Sequence, residues 1–140
     1  MSSKRIVIKI GTNVLQQTNG KLDYKLICEL ASQIARIRRN GHEVLLVSSG
    51  SVGAGRELFS VDESRNTLVS HQILASVGQA KLIQIYSDSF KHHNITVAQI
   101  LLTRGDFSHR KSYLNIRNTL ENLLKYKIVP IVNENDVVAT

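Results

Sequence analysis

The sequence predicts an α/β domain in which a parallel sheet is sandwiched by helices. Two observations lead there. Four short apolar runs rich in β-branched residues fall near 5–10, 43–48, 95–102 and 127–132, and segments with helical spacing separate them. The runs are apolar on both faces, which is the pattern of a parallel sheet covered by helices. A length of 140 residues suffices for one such domain with a core of its own, and no repeat, low-complexity tract or linker divides it.

Each element has a local reason. Residues 5–10, Arg-Ile-Val-Ile-Lys-Ile, read as a strand that Gly11-Thr12-Asn13 breaks. Residues 16–22 read as a polar loop or hairpin with Asn19-Gly20 as its turn. Asp23 is the expected N-cap of a helix over about 24–40, in which Leu26, Ile27, Leu30, Ala31, Ile34 and Ile37 recur at three- and four-residue steps. Asn40-Gly41 stops it. After the strand at 43–48 comes Ser49-Gly50-Ser51-Val52-Gly53-Ala54-Gly55, a turn of small residues with a short helix behind it. Residues 60–69 have no clear period and are expected to be loop or irregular helix. A long helix follows over about 70–93, with Ser70 as N-cap. Gly78 inside it costs about 1 kcal/mol in propensity unless close packing requires it. The third strand is expected at 95–102, a polar loop at 103–110, a helix at 111–125 and the last strand at 127–132. Pro130 within that strand gives up a ladder hydrogen bond, which predicts a bulge or a locally unpaired position.

Composition narrows the function classes. No run approaches the roughly 18 apolar residues of a membrane span. The first residues, Met1 to Arg5, lead straight into a strand with no signal-peptide core. The single Cys28 has no internal partner for a disulfide, and these features together predict a cytoplasmic protein. The net charge of +7 admits nucleic acid or a phosphate-bearing ligand, but the basic residues are scattered. Their densest cluster, Arg36, Arg38 and Arg39, falls in a last helical turn, where cations suit the helix dipole. Seven aromatics form no stacking platform for single strands. The five histidines show no zinc spacing. Ser49 lies outside a Gly-x-Ser-x-Gly elbow, and no His/Asp pair accompanies it.

Polar chemistry gathers at the predicted strand ends. In a parallel sheet, ligands bind outside the carboxyl ends of the strands. Those ends carry Lys9, Gly11, Thr12 and Asn13; Ser48, Ser49 and Gly50; Thr103, Arg104 and Asp106; and Asn133, Glu134, Asn135 and Asp136. Lys9 is costly to bury unpaired, so it is expected to enter a cleft and neutralise a phosphate, the alternative being a stem that snorkels to solvent. Backbone N–H groups of Gly11 and Thr12 would reach the same anion. Asn133 and Asp136 suit an ammonium group or a metal-bound water, or else they cap a turn. The turn at 47–55 is itself a candidate anion cradle, although it lacks a P-loop lysine and the dinucleotide glycine spacing.

Taken together, Lys9-Ile10-Gly11-Thr12, the stretch Val47 to Glu57, Val77-Gly78-Gln79, Gln99 to Thr103 and Pro130 to Asp136 resemble the amino-acid kinase family in order and over nearly all of residues 4–140. The Ser-Ser-Gly-x-x-x-x-Gly-Arg-Glu and Asn-Glu-Asn-Asp segments resemble its glutamate 5-kinase branch. The resemblance implies a three-layer αβα fold and ATP-dependent phosphorylation of the γ-carboxylate of L-glutamate, the first step of proline synthesis. It implies that Lys9 contacts the ATP phosphates, that Gly11 and Thr12 line the phosphate path, and that Mg²⁺ arrives with the nucleotide. Ser49 and Asp136 would bind glutamate, with Gly50 shaping the pocket and Asn133 nearby. Homo-oligomers and feedback inhibition by proline are implied as well, although these residues specify neither.

Two departures stand out. Asn13 replaces the family's usual serine. The family also continues past position 140 with a further glutamate-binding asparagine and a C-terminal nucleotide-binding half, so residues 1–140 are expected to be the N-terminal, glutamate-binding part and to have little activity alone. Rival readings are another member of the family (acetylglutamate, aspartate or uridylate kinase), a non-catalytic ligand-binding module and, from the charge alone, a nucleic-acid binder.

Overall fold

The computed structural model describes residues 2–138. Its elements run β1 (Arg5–Ile10), α1 (Thr12–Leu15), α2 (Tyr24–Arg39), β2 (Glu43–Ser48), α3 (Ser51–Leu58), α4 (Thr67–Lys91), β3 (Val97–Leu102), α5 (Arg104–Ser108), α6 (Arg110–Lys125) and β4 (Val129–Glu134). The strands form one sheet in the order β1-β2-β4-β3, and every pairing is parallel. All four carboxyl ends therefore lie on one edge, as the apolar runs predict.

Alternation along the strands builds the layers. Val44, Leu46 and Ser48 of β2 are buried toward α2 and α4, where Ile27, Ala31, Ile34, Leu82, Tyr86 and Phe90 complete the core. Ile8 and Ile10 of β1 pack against the same cluster. The alternate residues Arg5, Val7 and Lys9 are exposed on the opposite face. There α6 sits against β2 and β4, and Arg5 clamps its Glu121 with two hydrogen bonds of 2.7 and 3.0 Å. The result is helix, sheet, helix.

Local chemistry decides the boundaries. Asp23 caps α2 by accepting from the Leu26 N–H at 3.0 Å, and Gly41 takes a φ of +88° just past its end. The hairpin at 16–22 closes through the Gln16↔Leu22 bridge, with Gly20 at φ +80°. The long fourth helix begins earlier than expected. Asn66, not Ser70, is its N-cap and accepts from the Val69 N–H at 3.1 Å, while the Ser70 hydroxyl donates to the Asp62 carbonyl. It also ends at Lys91 rather than 93, with Asn94 turning at φ +56°. Residues 103–110 are not all loop. Thr103 and Asp106 form a capping box, with the Thr103 N–H donating to Asp106 Oδ2 at 2.7 Å, and this starts the one-turn helix α5. A further single turn, α1, stands where only a strand break was expected.

The last strand is shifted two residues forward because Lys127 takes a left-handed turn at φ +61° after α6. Pro130 pairs with Ala98 on the β3 side, whereas the ladder to β2 consists of Leu46↔Ile131 and Val47↔Val132, beyond the proline. That gap matches the donor that proline lacks.

Candidate functional site

The site is built where three strand ends meet. Lys9 precedes the last residue of β1 and pairs in register with Val47 of β2. The ladder extends one step further, since the Ser49 N–H donates to the Ile10 carbonyl at 3.0 Å. Gly50 then turns the chain at φ +106°, a conformation that L side chains rarely adopt, and α3 starts at Ser51. Among the described residues no side chain caps that helix. From the other side, β4 delivers Asn133 and Glu134, and the turn after it delivers Asp136. The Ser51 hydroxyl donates to Asp136 Oδ2 at 3.1 Å and so joins the start of α3 to the end of β4.

Between these ends lies a cleft of about 440 Å³. It is lined by Lys9 and Thr12 from the first strand end, by residues 47–53 and Arg56 from the second, and by Asn133, Glu134 and Asp136 from the fourth. Of the seven site residues expected from sequence, Lys9, Thr12, Ser49, Gly50, Asn133 and Asp136 line this cleft. Gly11 does not. It forms the β1–α1 junction, where its carbonyl accepts from the Val14 and Leu15 N–H groups at 3.1 and 3.2 Å. The third strand end is also absent from the lining, because Thr103 and Asp106 bind each other as the cap of α5. A depression of similar volume on α6, around Asn115, Asn118 and Asn122, lies apart from the residues of the strand ends.

Charge in the cleft is mixed. Lys9 and Arg56 are its cations, and Glu134 and Asp136 its carboxylates. Arg56 is held by Glu63 through bonds of 3.0 and 2.8 Å, which raise its already high pKa. Below the cleft the Glu57 carboxylate takes the Lys81 ammonium at 2.5 Å, the Leu22 N–H at 2.5 Å and the Tyr24 hydroxyl at 3.2 Å. It thereby pins the 16–22 hairpin to α3 and α4. Burial works to raise the Glu57 pKa, but these donors outweigh it and hold the group below its ordinary range. Tyr86 is buried behind β2 with its hydroxyl 2.7 Å from Ser48 Oγ. Burial pushes its phenol upward, so it stays a neutral donor.

The glycines of the turn have different tasks. Gly50 alone of the three uses positive φ. Gly55 lets α4 approach, since a Cβ there would lie 2.0 Å from the Leu74 carbonyl oxygen. Gly78 answers it from α4, where a Cβ would lie 1.6 Å from the Ser51 carbonyl oxygen. Close packing thus accounts for the mid-helix glycine. Sequence reasoning missed Ser51, whose bond to Asp136 no local motif announces, and gave no role to Arg56, although Arg56 sits in the quoted Gly-Arg-Glu segment.

Residues 4–140 match the model of the amino acid kinase family. Among curated relatives, the glutamate 5-kinase of Chlorobaculum tepidum is 52% identical over 136 residues, covering 97% of this chain and 38% of the relative. That of Caldanaerobacter subterraneus is 47% identical over 135 residues, covering 96% and 36%. That of Proteus mirabilis is 44% identical over 139 residues, covering 99% and 38%. The chain thus spans little more than a third of the length of these relatives. With the family model matched over almost every residue and the parallel sheet in place beneath the cleft, the chain belongs to the amino acid kinase family.

Proposed function

We propose that this chain is the N-terminal, substrate-binding part of an ATP-dependent kinase that phosphorylates the γ-carboxylate of L-glutamate to L-glutamyl 5-phosphate. The observation that carries the reading is the mixed-charge cleft, where two cations and two carboxylates meet the uncapped start of α3. An amino acid with two carboxylates and one ammonium needs that mixture. Asp136, oriented by Ser51, takes the ammonium. Ser49 and Gly50, with the first N–H groups of α3, take the α-carboxylate, and Asn133 forms part of the cleft wall.

Lys9 is left for the reacting end. In the transfer, the bond from the γ-phosphorus of ATP to its bridging oxygen breaks and a bond to the γ-carboxylate oxygen forms, releasing ADP. Charge spreads over the phosphoryl oxygens, and a fixed ammonium stabilises it without proton transfer. Thr12 stands beside Lys9 on the phosphate path. Gly11 supports that path as backbone only. Mg²⁺ accompanies the nucleotide. The relatives' names support glutamate as the acceptor, and proline synthesis as the context rests on the resemblance to the family. The same likeness is the ground for expecting homo-oligomers and proline as a feedback inhibitor.

The test is acceptor-dependent ADP release by a chain of the relatives' full length, with glutamate, acetylglutamate, aspartate and UMP as acceptors, and hydroxamate trapping of the acyl phosphate from the three carboxylates. Glutamate alone should support turnover. Preference for another acceptor would overturn the substrate. A 140-residue chain that turned over as fast as the full-length one would overturn the division of labour.

A further inference from the structure

Behind the cleft, on the α4 side of the sheet, lies a second and much smaller space of about 10 Å³. Its polar lining is Ser48, Gln79, Tyr86, Gln99 and Asn133, and apolar side chains of α4 and β4 close it. Asn133 borders both this space and the cleft. Two amide nitrogens of these residues, Gln79 Nε2 and Asn133 Nδ2, are buried without a hydrogen-bond partner among the described residues.

The other end of each amide is engaged. Gln79 Oε1 accepts from Gln99 Nε2 at 3.2 Å, and Asn133 Oδ1 accepts from the Glu134 N–H at 2.8 Å. Flipping Asn133 would set its NH₂ against that N–H, whereas Gln79 can flip only together with the exposed Gln99, which would turn Gln79 Oε1 to the position its Nε2 now holds. The Ser48 hydroxyl proton goes to the Ser49 carbonyl at 2.8 Å, so Tyr86 must donate to Ser48 and keeps its own oxygen as an acceptor. With the amides so oriented, the residues that carry these two donors and this acceptor line a space of about one water's size, roughly 10 Å³ being the smallest that holds one.

We infer that one buried water occupies this space, accepting from Asn133 Nδ2 and Gln79 Nε2 and donating to Tyr86, and that Gln79 is through it a positioning residue for Asn133. The arrangement ties the cleft wall to α4 and explains a glutamine that no step of the reaction uses. The water rests on geometry alone. Its consequence for substrate rests on the proposed function.

Two measurements test it. A high-resolution crystal structure of the protein should show solvent density within hydrogen-bond distance of both amide nitrogens. Density showing the two amides satisfied by protein atoms, with no solvent between, would overturn the inference. In the full-length enzyme, Gln79→Met, which keeps volume but removes the amide, should raise KM for glutamate about tenfold with kcat nearly unchanged. Ile83→Val, at the apolar wall, should lower stability slightly and leave KM alone. Equal KM in Gln79→Met and the parent would overturn the positioning role. Should Gln79→Met fail to fold, the density in the parent decides. Absence of any glutamate turnover in the parent would instead strike the proposed function and leave the water to be judged by density.

Discussion

Lys9 and Asp136 both line the cleft, and their chemistry predicts opposite kinetic effects. Lys9 is expected to act on charge that develops during transfer, so Lys9→Ala in the full-length enzyme should lower kcat by about 100-fold or more, with KM for glutamate little changed. Asp136 is proposed to hold the ground state through the ammonium. Asp136→Asn keeps the Ser51 bond but loses the charge, and it should raise KM for glutamate by roughly 10-fold or more. Steady-state kinetics over both substrates separates the two, and a pure KM effect at Lys9 would remove its proposed role. These residues stood out in the sequence because polar groups at strand ends are legible. Ser51 did not, since its partner is 85 positions away.

The contact of α3 with α4 is where a single atom decides most. Propensity alone says that Gly78→Ala should stabilise α4 by about 1 kcal/mol. The new Cβ would lie 1.6 Å from a backbone oxygen of Ser51, which cannot swing aside as a side chain does. We expect a loss of about 3 kcal/mol or more in urea unfolding, together with weaker glutamate binding, because Ser51 opens the helix that borders the cleft. A stabilised Gly78→Ala would show that the helices part freely. At the start of α4, Asn66→Ala should cost about 1 kcal/mol through its lost cap. Helix α5 was readable in principle from Thr-x-x-Asp, yet one turn among polar residues has no apolar period to mark it.

Stability across the fold should depend on pH through Glu57 and Lys81, which join the hairpin to α3 and α4. The carboxylate is held below its ordinary 4.5, so its contribution is present above that pH and is lost as pH falls through the depressed value. The ammonium, raised above 10.5 chiefly by its bond to Glu57, contributes fully below that pH and loses its contribution only in stronger alkali. A plateau between about pH 5 and pH 10 follows. Glu57→Gln should be about 1–3 kcal/mol less stable at pH 7, with the gap narrowing below pH 4.5. Urea midpoints from pH 3 to 8 check this, and a constant gap would show that the ionised form is not what matters.

By itself the sequence determined the four strands, the main helices, the parallel sheet and the edge on which ligand chemistry gathers. Those follow from periodicity and strand-end composition, which are local. Folding alone decided which polar residues face one another. Gly11 was left out of the cleft, Thr103 and Asp106 were spent on a cap, and Ser51, Arg56 and the Gln79–Asn133 neighbourhood were brought in. The strand order β1-β2-β4-β3 is the reason. It seats the last strand between the second and third, so Asn133 and Asp136 meet residues from the middle of the chain. Hydrogen bonds between partners so far apart leave no trace in local spacing.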